Sequence, residues 1–156
     1  MRLFSKGSND SNGMSASNGH EGLKQADSVQ TALRFHENWD ISKQEEYVYR
    51  FHHQQLPVLK PNQISLTGVK LVREEGDVVI IAFLRNSLEK AIRFKTVDIV
   101  LVDGSGRLLA KKAFDLSLIG EVPALSSLPW RFSFEEDDMV AASIPDEDWQ
   151  IAFEWK

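Results

Sequence analysis

Few side chains in this sequence are of a type that does chemistry, and those few are poorly spaced for it. The four histidines include one adjacent pair, His52-His53, and the isolated His36. Neighbours on a helix point about 100° apart, so the pair cannot close a two-ligand metal site, and no HExxH pattern is present. These rings read as structural or solvated. Acidic residues gather in "EEDDM" and "PDEDW", which hold Glu135, Glu136, Asp137 and Asp138 and then Asp146, Glu147 and Asp148. Separately they are solvated loops; brought together they would hold a divalent cation or meet a basic surface. Asp103-Gly104-Ser105-Gly106 lacks the alternating oxygen ligands of an EF-hand and reads as a hairpin turn.

There is no cysteine, which excludes disulfides and thiolate chemistry. No Gly-x-Ser-x-Gly elbow and no Walker-type loop occurs, so acyl and phosphoryl transfer have no foothold. The expectation is a protein that is not an enzyme and that takes no cofactor or metal. Arg85, Lys90, Arg93 and Lys95 form a basic cluster in "RNSLEKAIRFK", read as a hairpin rim facing water. With Trp39, the residues Arg85, Lys90 and Arg93 are the candidates for contact with a partner, since Arg and Trp anchor interfaces more often than other residues.

The elements that would carry these side chains are mostly strands. Ser42 and Glu45 make a Ser-x-x-Glu capping box, and Pro57 forbids continuation, which predicts one helix over 43–55. Tyr47, Val48, Phe51 and Gln55 fall on one side of it, so that stripe is expected to lie on something larger. "QISLTGVKLV" reads as a strand with a bulge at Gly68, and "DVVIIAFLRN", apolar on both faces, as a central strand. "FKTVDIVLVD" and "RLLAKKAFDL" flank the Asp-Gly-Ser-Gly turn. In "WRFSFE" and "WQIAFEWK" every second residue is large and apolar (Trp130, Phe132, Phe134; Trp149, Ile151, Phe153, Trp155), the period of a strand with one buried face. The expected fold is mostly β: an immunoglobulin-like antiparallel β-sandwich with one N-terminal α-helix packed on it, the aromatic rings filling the gap between sheets.

With 156 residues, this is one domain with a true core. Residues 1–28 are Ser/Asn/Gly-rich and predict a disordered tail, leaving 29–156 as the folded unit. A net charge of −5 argues against a nucleic-acid partner. Neither a signal-peptide core nor an apolar run of roughly 18 residues occurs, which predicts a cytoplasmic protein without membrane insertion.

From Phe35 onward the chain resembles the SLAP domain, a module of the S-layer assembly protein of the accessory Sec system in Bacillus-type bacteria (Firmicutes). The likeness rests on "FHENWDISKQEEYVYRF", "QQLPVLKPNQISLTG", "AFLRNSLEKAIRF", "LLAKKAFDLSLIGEVPALSSLPWRFSFE" and "WQIAFEWK". The resemblance implies a non-enzymatic factor that works with a second SecA-type motor to export surface-layer proteins, binding the motor or the surface-layer precursor. That assembly protein looks like a tandem duplication of the domain, whereas one copy fits here and no internal repeat is visible; a single copy could pair with another chain as a homodimer through an edge strand. The alternative is a ligand-binding sandwich for a divalent cation or a cell-wall carbohydrate.

Overall fold

The computed structural model describes residues 2–6 and 28–154 of the chain. In chain order the strands are β1 (Arg2–Lys6), β2 (Ala32–Leu33), β3 (Ile64–Glu74), β4 (Asp77–Asn86), β5 (Ile92–Arg93), β6 (Thr96–Asp103), β7 (Leu108–Asp115), β8 (Glu121–Val122), β9 (Ser126–Phe134) and β10 (Trp149–Glu154). A single α-helix among the described residues, α1 (Lys43–Gln54), stands between β2 and β3.

Eight strands form one ladder in the order β2-β9-β4-β3-β1-β10-β6-β7, and β5 pairs with β8 apart from it. The ladder doubles over on its apolar side. Val78, Ile80, Ala82 and Leu84 of β4 share one core with Phe132 and Phe134 of β9, Ile99 and Leu101 of β6, and Trp149, Ile151 and Phe153 of β10. The layer β9-β4-β3 thus faces the layer β10-β6-β7. At the open side Phe114 of β7 meets Phe132 and Phe134 edge-on, at 5.4 and 5.3 Å between ring centres. The two pairing orders match strands E-B-A and F-C-C′ of an immunoglobulin sandwich, so the mostly β, sandwich-like architecture with one helix is the one the periodicity predicts.

The period of two holds in both aromatic strands. Phe132, Phe134 and Ile151 are fully buried, and Trp149 and Phe153 nearly so. Trp130 is only half-buried, because β9 is an edge beyond its short pairing with β2, and there its ring meets His36 and Trp39. Trp155 lies outside the described residues. Central strand β4 is buried on both faces, as its composition requires. Between β3 and β4 the register slips at Gly68/Lys70, the expected bulge. A Cβ on Gly68 would stand 2.5 Å from Cζ3 of Trp149, so glycine here lets the last strand's ring close onto β3. In the β6–β7 turn, Asp103 Oδ1 accepts hydrogen bonds from Ser105 Oγ at 2.7 Å and from the Ser105 and Arg107 amides, both at 2.9 Å. The Ser105 hydroxyl, then the backbone donors, hold this carboxyl below its usual range.

One departure concerns the N-terminus. Residues 7–27 of the expected tail lie outside the described residues. Arg2–Lys6, however, stands in the sheet as β1, antiparallel to β10 from Arg2↔Glu154 to Ser5↔Ile151 and parallel to β3 at Ser5↔Thr67 and Lys6↔Gly68. It takes the place of strand G of an immunoglobulin sandwich. Pairing there is made by backbone groups, which the polar composition of the following residues does not reveal.

Candidate functional site

Helix α1 starts where its capping box predicts. The Glu45 amide donates to Ser42 Oγ at 3.1 Å, and the Ser42 amide donates to Glu45 Oε1 at 3.0 Å. Glu45 and Glu46 in the first turn and His52 and His53 in the last suit the helix dipole. No residue of the helix is fully buried. Its hold on the sheet is through two rings, Tyr49 and His53, whose centres lie 6.4 and 5.5 Å from that of Phe83 on the outer face of β4. Trp39, 5.4 Å from Tyr49, closes the contact from the side. With so little burial, the cap is a large share of what keeps the helix. Ser42→Ala is expected to cost about 1 kcal/mol, seen as faster amide exchange across 43–54 with exchange in β4 unchanged.

The orientation of α1 corrects the sequence-based expectation. Tyr47, Val48 and Phe51 do not lie on the sheet; they are 72%, 46% and 53% exposed. The inward face is the one that looked less apolar. Tyr49 meets Phe83 edge-on at 89° and His53 meets it at 60°, with His53 Nε2 3.4 Å from Thr31 Oγ1, so these two rings take the inward place expected for the Tyr47-Val48-Phe51 stripe. Burial raises the Tyr49 hydroxyl's pKa and lowers that of both histidine rings.

Two clefts flank the helix. One, of about 350 Å³, runs beneath Val48 and His52 over Val69, Val72, Ile81 and Arg131. The other, of about 430 Å³, lies at the opposite end, between α1, the segment entering β2, and Arg85. Here a second expectation fails: Arg85 is no water-facing rim residue but is only 3% exposed. It follows Val79, Ile81 and Phe83 on the outer face of β4, flanked by Ser65 of β3 and Ser127 of β9 in register. Ser127 Oγ in turn hydrogen-bonds Thr31 Oγ1. Burial pulls the Arg85 guanidinium below its ordinary pKa, to about 10.

The remaining candidates are dispersed. Lys90 is exposed just after β4, with its carbonyl accepting from Asn86 Nδ2 at 3.1 Å. Arg93 sits in the small β5–β8 pair, opposite Glu121, with its Nε 4.0 Å from that carboxylate in an exposed ion pair. Lys95 is exposed beyond it. Trp39 and Arg85 flank α1, whereas Lys90 and Arg93 belong to the β4–β6 connection, so the basic cluster of the sequence is divided in the fold. His36 is fixed by both nitrogens: Nδ1 accepts from the Asn38 amide at 3.0 Å and Nε2 donates to the Leu118 carbonyl at 3.0 Å. Asp146 pairs with Arg73 at 2.7 Å, and Asp138 accepts from the Glu135 amide while facing Lys112 at 3.6 Å. Among the described residues no three His, Asp or Glu side chains are grouped so as to hold a metal ion. No helix among the described residues is long and apolar enough to cross a membrane.

The most distinctive surface is therefore an outward-turned aromatic helix face between two clefts, one of them ending on a buried cation. The sequence showed the apolar residues of this face but not which way they turn.

The chain belongs to the SLAP domain family, whose model matches residues 33–155 and so nearly the whole folded unit. No curated protein and no solved structure matches it.

Proposed function

We propose that this SLAP-domain protein is a non-enzymatic, protein-binding accessory factor in the export of surface-layer proteins through an accessory Sec pathway, acting in the cytoplasm on a SecA-type motor or on the surface-layer precursor. The family membership supports the setting. The observation that carries the binding role is the outward face of α1, where Tyr47, Val48 and Phe51 stand exposed. The helix has no fully buried residue, so this apolar stripe stays in water unless a partner covers it. Exposed apolar patches of this kind mark contact surfaces, and an aromatic helix face fits a groove on another protein.

The test is titration of the full chain into purified SecA-type motor and, separately, into surface-layer precursor. One of the two is expected to bind. Anchors of this type are each worth about 2 kcal/mol, so Phe51→Ser should weaken that binding about thirtyfold. Its melting temperature should hardly change, because the ring is half exposed. Binding to neither protein, or unaltered binding by the Phe51→Ser variant, would sink the reading.

A further inference from the structure

We propose that the cleft ending on Arg85 is a binding site for a carboxylate. The inference is independent of which protein the helix face meets.

The starting point is an unanswered charge. Arg85 is almost wholly buried, yet its Nε has no hydrogen-bond partner, and it makes no ion pair with any described residue. A buried guanidinium left this way is costly, and natural cores pair theirs. The cleft over it opens to solvent, and none of the residues lining it is acidic. The cleft leaves room for an anion to enter from outside and answer that charge.

Charge count and shape narrow the class. Arg50 also lines the cleft, but its charge is answered by Glu46, with Nη2 and Nε at 2.6 and 3.0 Å from the same carboxylate oxygen. His53, the other basic lining residue, is held towards its neutral form by burial and by the two arginines. One uncompensated positive charge remains, which suits a monoanion better than a phosphate dianion. The planar guanidinium that lines the cleft carries N–H groups in the fork geometry that grips a carboxylate with two parallel hydrogen bonds. Gln30 and Gln54 stand at the walls as further donors, while Leu33, Leu56 and Val58 supply apolar sides for the body that carries the carboxylate. At about 430 Å³ the cleft is in the range of small-ligand sites and larger than a bare inorganic ion needs.

The carboxylate could arrive on an acidic side chain or at a chain terminus, and blocked amino acids separate the two. The Arg85 Nε–H resonance of the full chain is followed by NMR during titration with N-acetylglutamate α-amide, N-acetylglycine, N-acetylglutamine α-amide and inorganic phosphate. A saturable shift is expected with one or both carboxylates; the tighter of the two identifies the source. The neutral amide should leave the resonance in place. Arg85→Met, which keeps the volume and removes the charge, should weaken carboxylate binding at least about tenfold, read from neighbouring backbone amides. Immobility of the Nε–H resonance with both carboxylates would overturn the proposal without any variant being made. Tighter binding of phosphate, or equal affinity in the Arg85→Met protein, would overturn it as well.

Discussion

Phe132→Ala is expected to lower the unfolding free energy by about 3–5 kcal/mol, the range for deleting a fully buried ring and leaving a partly collapsed cavity. Phe132 has no exposed surface and lies in register with Ile80 on the inner face of the β9-β4-β3 layer. From the opposite layer Phe114 meets it edge-on at 89°. Removing the ring therefore empties the gap between layers at the side where no backbone ladder joins them. A domain of this size is stable by about 5–15 kcal/mol, so the variant should be substantially less folded on warming. Trp130→Ala is the control. Its ring is larger but half-buried at the edge of β9 against His36 and Trp39, and its loss should cost less. Urea midpoints of the two variants give the comparison. A smaller loss at Phe132 than at Trp130 would mean that the aromatic strands do not fill the sandwich.

The contrast between those two rings also shows where sequence is a good guide. Period-two alternation places Phe132, Phe134, Ile151 and Phe153 correctly because a strand's side chains must alternate, whatever surrounds it. The Ser42–Glu45 capping box and the Asp103 turn were equally legible, since each is satisfied by atoms within a few residues. What sequence could not supply is decided by long-range competition. The side of α1 that turns inward depends on Phe83 and Trp39, separated from Tyr49 by 34 and ten residues respectively, offering rings to Tyr49. Arg85 looked like the first residue of a basic rim because Lys90 and Arg93 follow it closely. Its alternation with Ile81 and Phe83 on β4 was the available signal that it shares their covered face. Strand β1 gave less warning still: two apolar residues before a polar run do not announce a place between β3 and β10.

Arg85 also yields the second large expectation, and its sign is unusual for a buried position. Arg85→Met should stabilise the protein by about 1–3 kcal/mol, because exchanging a buried, incompletely paired charge for a well-packed apolar chain removes a desolvation cost and keeps the stem's contacts. For a domain of this length each kcal/mol is worth about 2–4 °C in melting temperature. The pH dependence follows from the lowered pKa. Below about 10 the folded guanidinium and its unfolded counterpart are both charged, so the cost is present in full. As pH rises through about 10 the folded group sheds its proton first, the unfolded state then binds more protons, and the wild-type fold is relieved relative to the Met variant. The advantage of Arg85→Met should therefore be greatest at neutral pH and shrink in alkali. A loss of stability on Arg85→Met at pH 7 would mean that the guanidinium is held by favourable interactions in the fold itself. A gain identifies it as a group kept at the expense of stability, which is how residues retained for binding behave.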